Sequence, residues 1–377
     1  KVRPKDSGLG FGKYTTDHMF LMDYSRQKKW HDARIEPYGD LKLDPTAMVL
    51  HYNQEVFEGL KAYHLEDGGI GLFRPEKNIE RLNGSARRMV MPGVDPDLVL
   101  RAMKELVLLD REWIPKSAGT SLYIRPTMIA TEPALGLRPA EEYLFYIILG
   151  PVGAYYPEGF SPTRIYVSDT YVRAAKGGVG EAKTSGNYGA TLYVSQKAIG
   201  KGYTQVLWLD AKELKYVEEV GTSNIFFLIN DELVKGYTQV LWLDAKELKY
   251  VEEVGTSNIF FLINDELVTP PLGGTILPGV TRDSVLQLAR HWGLNVSERP
   301  ISIEEAADGC KNNSLKEMFA TGTAAVISPV GLICYKGEDL QIADGKTGEL
   351  SQKLYDELTG IQYGRREDPF GWLLRIA

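Results

Sequence analysis

Lys183 lies in "GGVGEAKTSGNYG" (177–189), a lysine set among glycines and small polar residues. Small residues let a backbone turn sharply and approach a ligand closely. An amine placed there can grip a phosphate as a point charge, form a Schiff base with a carbonyl, or stay solvated on a loop. The first option is a P-loop. Gly177, four residues, Ala182, Lys183 and Thr184 miss GxxxxGK[ST] by one glycine, and "VLWLD" (206–210) imitates the acidic strand that accompanies such loops. Three features oppose it. Ala182 stands where a glycine amide should cradle phosphate. Ser185-Gly186-Asn187-Tyr188-Gly189 breaks the helix expected to start at the lysine, and no apolar strand directly precedes the motif.

A Schiff-base lysine that holds pyridoxal phosphate needs company: a carboxylate opposite the pyridine nitrogen, a donor for the phenolate oxygen, and a phosphate cup. "EEVGTSN" occurs twice and offers Glu219 or Glu253 as the carboxylate. Tyr188, five residues beyond the lysine, can donate to the phenolate. "LPGVTRDSVLQLA" (277–289) presents the amides of Val280 and Thr281 at a helix N-terminus, where an anion is favoured. Taken singly, these are a loop lysine, a turn glutamate, a packed tyrosine and a helix start. Their occurrence together, in this order, carries the signal.

The elements that must position these residues alternate in type. Strand-like runs include "HMFLMDY", "MVLHY", "SLYIRPTMIA" and "YLFYIILG". Helical spacing of Ile79, Leu82, Ala86 and Met89 predicts a helix over 75–91, and another is expected over 281–292 behind Pro278-Gly279. An α/β (α+β) chain of 377 residues suits two domains. The Gly, Pro and aromatic content of 150–163 marks their connection, giving a small α/β domain over 1–150, a loop over 151–163 and a larger domain over 164–377. A net charge of −7 argues against a nucleic-acid surface. Two cysteines without CxxC and five histidines without HExxH argue against a disulfide framework or a metal site. No apolar run approaches the ~18 residues of a membrane span, and the N-terminus is no signal peptide. A cytoplasmic protein is expected, and the missing initiator Met is compatible with a cleaved organellar presequence.

Residues 201–234 recur letter for letter at 235–268. Two copies are too few for a solenoid, and "TQVLWLD" and "NIFFLIN" are strand-like. Deleting either copy leaves the same chain of 377 − 34 = 343 residues. One copy is expected to be the working element. The other should be extruded or should break the strand order.

The chain resembles the branched-chain amino acid aminotransferases, pyridoxal-phosphate enzymes of fold type IV. The likeness runs through "FGKYTTDHM" (11–19), "FEGLKAY" (57–63), "LFRPEKNIERL" (72–82), "SLYIRP" (121–126), "GPVGAYY" (150–156), "GGVGEAKTSGNYG", "EEVGTSNIF", "TPPLGGTILPGVTR" (269–282), "FATGTAAVISPV" (319–330) and "IQYG" (361–364). The longer, eukaryotic-type branch looks nearer than the short bacterial one. The resemblance implies a two-domain fold with a C-terminal pseudo-barrel. It also implies a homodimer with active sites near the subunit interface, and reversible ping-pong transfer of the amino group of leucine, isoleucine or valine to 2-oxoglutarate. Lys183 would bind the cofactor and shuttle the proton, Glu219 or Glu253 would pair with its ring nitrogen, and Tyr188 with its phenolate. Arg81, Val280, Thr281 and Thr323 would hold the phosphate, with Thr222 or Thr256 nearby. The amides of Thr323 and Ala324 would meet the substrate carboxylate. Phe11, Tyr52, Phe57, Tyr123 and Tyr188 would line the aliphatic pocket, Arg125 and Tyr123 would read a distal carboxylate, and Val152 would come from the partner subunit. A D-amino acid aminotransferase and an aminodeoxychorismate lyase share the implied fold. Ala325-Val326-Ile327-Ser328 stands where some relatives carry CxxC, so no thiol switch is expected.

Overall fold

Alternation along the first strand sets the frame of one unit. In a computed structural model of the protein, which describes residues 1–153, 165–168, 171, 177–200, 205–209, 217–220, 241–243, 250–254, 258–272, 276–335, 338–342 and 345–377, strand β1 (His18–Ser25) points Phe20 and Met22 into the main core and Met19 and Leu21 into a smaller one on the other side. The chain divides into two units. Unit 1 comprises 1–157, 182–186 and 359–377, and unit 2 comprises 158–181 and 187–358. This departs from a linear division, because the lysine and the C-terminus both group with the N-terminal unit.

Unit 1 is built on an antiparallel sheet of β1, β2 (Lys29–Pro37), β3 (Glu55–Phe57), β4 (Leu60–His64), β5 (Ile70–Phe73), β6 (Ser121–Ala130), β7 (Glu142–Val152) and the C-terminal strand β21 (Leu373–Arg375), ordered β2-β1-β7-β6-β4-β5-β21 with β3 also on β6. Helices α2 (Pro75–Arg88) and α3 (Pro96–Leu109) bury Ile79, Leu82, Ala86, Val99, Met103 and Leu106 in the same core as Ile124, Met128, Phe145 and Ile147 of the sheet. "MVLHY", expected as a strand, is instead helix α1 (Met48–Tyr52). Its apolar run is short, and Asn53 in the left-handed region ends it as a helix cap, with its N–H donating to the Val49 carbonyl. Strand β7 runs to Val152, two residues past the expected boundary.

In unit 2, β8 (Ile165–Ser168) and β9 (Gln205–Leu209) pair in parallel; between them in the chain come α4 (Ser185–Gly189), whose first two residues belong to the 182–186 segment of unit 1, and α5 (Leu192–Gly200). The short helix α4 starts just after Lys183, contrary to the expectation that this stretch is broken. Strand β10 (Val217–Val220) pairs with β9, and β11 (Leu241–Leu243) with β12 (Tyr250–Val254). These two hairpins are the two copies of the repeat, and their registers agree. Leu209↔Val217 and Leu207↔Val220 in the first copy become Leu243↔Val251 and Leu241↔Val254 in the second, each shifted by the repeat length. The first hairpin takes β8 as its outer neighbour, and the second takes β16 (Ile301–Ser302). A five-stranded sheet, β15-β14-β13-β17-β18, is formed by β13 (Asn258–Ile263), β14 (Glu266–Thr269), β15 (Asn295–Glu298), β17 (Leu315–Gly322) and β18 (Val326–Pro329). Helix α6 (Val280–His291) makes the crossover from β14 to its parallel neighbour β15. Helix α7 (Ile303–Lys311), the hairpin of β19 (Leu332–Tyr335) and β20 (Glu338–Gln341), and α8 (Glu349–Gln362) follow in the chain. Among the described residues no helix is long and apolar enough to cross a membrane.

Candidate active site

Pro126 on β6 explains where the first cluster opens. Its carbonyl accepts the Glu58 N–H at 2.9 Å, but proline has no N–H to return. The pairing of β6 lapses there, between the end of β3 at Phe57 and the start of β4 at Leu60. The buried Glu58 carboxylate then receives Arg81 Nε on Oε1 at 2.7 Å, and Arg81 Nη2, Asn78 Nδ2 and the Gly59 N–H on Oε2 at 2.9, 2.9 and 3.1 Å. Burial pushes this carboxyl up, yet Arg81, then Lys183 and Asn78, outweigh it and hold Glu58 below the usual carboxylate range.

The Lys183 segment is stapled to the same place. The Lys183 N–H donates to Ser85 Oγ at 2.9 Å, and the Phe57 N–H donates to the Lys183 carbonyl at 3.0 Å. Thr184 Oγ1 donates to the Glu55 carbonyl and Ser185 Oγ to Glu55 Oε2. Ser85 and Arg81 share one face of α2, four residues apart. The Lys183 amine stands 5.1 Å from the Phe57 ring centroid.

From Phe57 a chain of contacts runs to three more residues expected at the substrate site. Arg125 Nη2 donates to the Tyr123 hydroxyl at 2.9 Å, so the two do share one face of β6. The Arg125 guanidinium lies 4.5 Å from the Phe57 ring centroid, and Phe11 meets Tyr123 edge-on at 4.8 Å. Gly59 is required here, since a Cβ on it would come within 1.9 Å of the Tyr123 hydroxyl. Tyr52 is engaged elsewhere, donating its hydroxyl to the Leu135 carbonyl beside His51. Val152, expected on a loop that reaches a partner subunit, is instead the last residue of β7, paired with Ser121 and 1% exposed.

Lys61, on the adjoining strand β4, is buried, and burial pulls its amine down to about 8 from 10.5. The folded form therefore resists the charge, so stability is reduced below pH 8 and rises as the pH climbs from 8 toward 10.5. Lys61→Met should raise stability at pH 7 by about 2–3 kcal/mol, and urea melts should show that gain shrinking at pH 10.

Unit 2 holds the second set. Tyr188 is half-buried on α4, and its carbonyl accepts the Thr191 N–H and hydroxyl. Val280 and Thr281 open α6, which has Gly279 at its N-cap and no side-chain cap, whereas Asp95 and Ser302 cap α3 and α7. Thr323 and Ala324 form the turn between β17 and β18, ended by Val326 at φ 63, a costly conformation for a β-branched residue. Glu219 lies on β10 and Glu253 on β12, at equivalent places in the two hairpins. Thr222 and Thr256 lie outside the described residues. An uncapped helix start and the buried Thr321 hydroxyl, which has no partner among the described residues, suit an anionic group such as the phosphate of pyridoxal phosphate. Among the described residues no cluster of His, Cys, Asp or Glu could hold a metal.

Sequence reading missed Glu58, Ser85 and Asn258. Glu58 alone left a trace, as the one acid in the otherwise apolar start of "FEGLKAY".

The family described as amino-transferase class IV matches residues 55–235 and 233–333, two stretches that part at the junction of the repeat. Branched-chain-amino-acid aminotransferase 2 of Bacillus subtilis is 51% identical, covering 100% of this chain and 94% of its own length. The Mycolicibacterium smegmatis branched-chain-amino-acid aminotransferase is 44% identical, over 97% of this chain and 92% of its own. The crystal structure of the Escherichia coli branched-chain amino acid aminotransferase superposes with a TM-score of 0.70 at 25% identity, covering 96% of this chain and 100% of that one.

Proposed function

The chain belongs to the class IV aminotransferases, and from that premise we propose that it moves the amino group of leucine, isoleucine or valine to 2-oxoglutarate and back through one shared site. The observation that carries the reading is the Lys183 amine set beside an aromatic wall that ends in the Arg125–Tyr123 pair. Class IV aminotransferases work with pyridoxal phosphate, which supplies the electron sink for the carbanion formed at the substrate's Cα. Lys183 would hold the cofactor covalently and, once released, carry the proton to and from Cα. Tyr188 would donate to the cofactor's phenolate, and Glu219 or Glu253 would keep its ring nitrogen protonated. Arg81, Val280, Thr281 and Thr323 would hold the phosphate, with Thr222 or Thr256 close by, while the amides of Thr323 and Ala324 take the substrate carboxylate. A homodimer in the cytoplasm belongs to the same reading.

Phe11, Phe57 and Tyr123 offer a dry surface to a branched side chain. A γ-carboxylate needs donors instead, because its unpaired burial is costly. Arg125 and the Tyr123 hydroxyl would supply them. Arg125→Met should raise the Michaelis constant for 2-oxoglutarate about tenfold to hundredfold, the worth of a charge-assisted contact, and that for leucine far less. Steady-state kinetics on both substrates, with a D-amino acid as a third arm, test the proposal. Turnover of the D-amino acid in preference to leucine would overturn it.

A further inference from the structure

One place in unit 2 is contested by two copies of one sequence. The strand between β14 and β17 is β13, and it comes from the second copy. Its Ile259, Phe260 and Phe261 are fully buried, with Phe260 stacked on Phe319 of β17 at 5.9 Å. That position admits a single strand. The matching letters of the first copy, 224–229, lie outside the described residues.

Asn258 opens β13 and ties two stretches together. Its backbone is in register with Thr321, on the strand that runs into Thr323 and Ala324. Its side chain, 1% exposed, donates from Nδ2 to the Leu277 carbonyl at 2.8 Å. It lies so close to Gly279 that a Cβ there would come within 1.9 Å of Asn258 Oδ1. One amide thus fixes the turn that launches α6 against the strand that leads to the β17–β18 turn. These are the two stretches whose amides and hydroxyls would receive the phosphate.

We propose that Asn258 is a positioning residue for the cofactor's phosphate, and that the second copy of the repeat, with Glu253 on its hairpin, is the one that serves the site. This rests on the transaminase reading above. The repeat supplies its own control, because Asn224 is the same residue in the same local sequence. Titrate the apoprotein, followed by visible absorbance, with pyridoxal phosphate and with pyridoxal, which lacks the phosphate. Asn258→Ala should weaken pyridoxal phosphate about tenfold to hundredfold, as expected when a buried hydrogen bond is lost, and change pyridoxal by less than about threefold. Asn224→Ala should change neither. If Asn258→Ala fails to fold, Asn258→Asp keeps the shape, removes the donor and sets a negative charge beside the phosphate, so the same split should appear. Equal losses from the Asn224 and Asn258 variants would overturn the inference, as would equal losses for the two ligands. Failure of the unaltered protein to bind pyridoxal phosphate would overturn both this inference and the transaminase reading.

Discussion

Lys183→Ala should lower turnover of leucine with 2-oxoglutarate by at least about 10⁴-fold while leaving the fold in place. In the proposed function nucleophile and proton carrier are one amine, so its loss would remove both contributions, and proton transfer by a positioned group alone is worth about 10²–10⁴-fold. The fold should survive because the segment is held by its backbone and its neighbours. The Lys183 N–H donates to Ser85, its carbonyl accepts from Phe57, and Thr184 and Ser185 bond to Glu55. None of these contacts uses the amine. Turnover and the melting curve should therefore separate, with the first lost and the second nearly unchanged. A variant that keeps more than about a hundredth of the rate would place the chemistry on another residue.

Glu58→Gln should cost about 3–5 kcal/mol of stability, the range for removing one partner of a buried ion pair. Both Arg81 nitrogens that meet Glu58 face a carboxylate that is 1% exposed, and Arg81 itself is 10% exposed. Glutamine keeps the volume, but it offers one carbonyl oxygen where two charged oxygens had four donors. The pH dependence gives an independent reading. Glu58 is held below the ordinary carboxylate range, so its contribution is fully present above the unfolded value near 4.5 and is lost as the pH falls through the lower folded value. Denaturant melts of the two proteins should differ most at neutral pH and converge in acid. Equal stability at pH 7 would show that the pair contributes nothing net.

What could be read from the sequence followed from local period and local spacing. Ile79, Leu82 and Ala86 recur at helical intervals, and that helix exists with all three buried. Pro278-Gly279 announced α6, which begins at the next residue. "SLYIRP" placed Tyr123 and Arg125 on one side of a strand because side chains alternate with period two. The misread places had weak local signals. "MVLHY" mixes β-forming Val49 and Tyr52 with helix-forming Met48 and Leu50, and is too short for its own propensity to decide against the Asn53 cap. Glu58, Ser85 and Asn258 take their meaning from partners far along the chain: Lys183 is 98 residues from Ser85, and Asn258 is 19 from Leu277. No windowed pattern carries such pairings. Identical copies likewise carry no internal mark that tells them apart; among the described residues their neighbours do, β8 beside one hairpin, β16 beside the other, and β14 and β17 on either side of β13.

The division of the chain has a consequence for how the molecule is made. The polypeptide passes between the two units four times, at 157/158, 181/182, 186/187 and 358/359. Unit 2 is in effect two insertions into unit 1. On the ribosome the sheet of unit 1 can begin to assemble early, yet Ser85, Glu55 and Phe57 wait for residues 183–185 before their hydrogen bonds can close. The outer edge of β5 stays unpaired until Leu373–Arg375 emerges to cover it. Exposed strand edges recruit other chains, and domains fold as units during synthesis. This unit therefore cannot cover the β5 edge until residues 373–375 have been made, so that edge stays open through the translation of everything between.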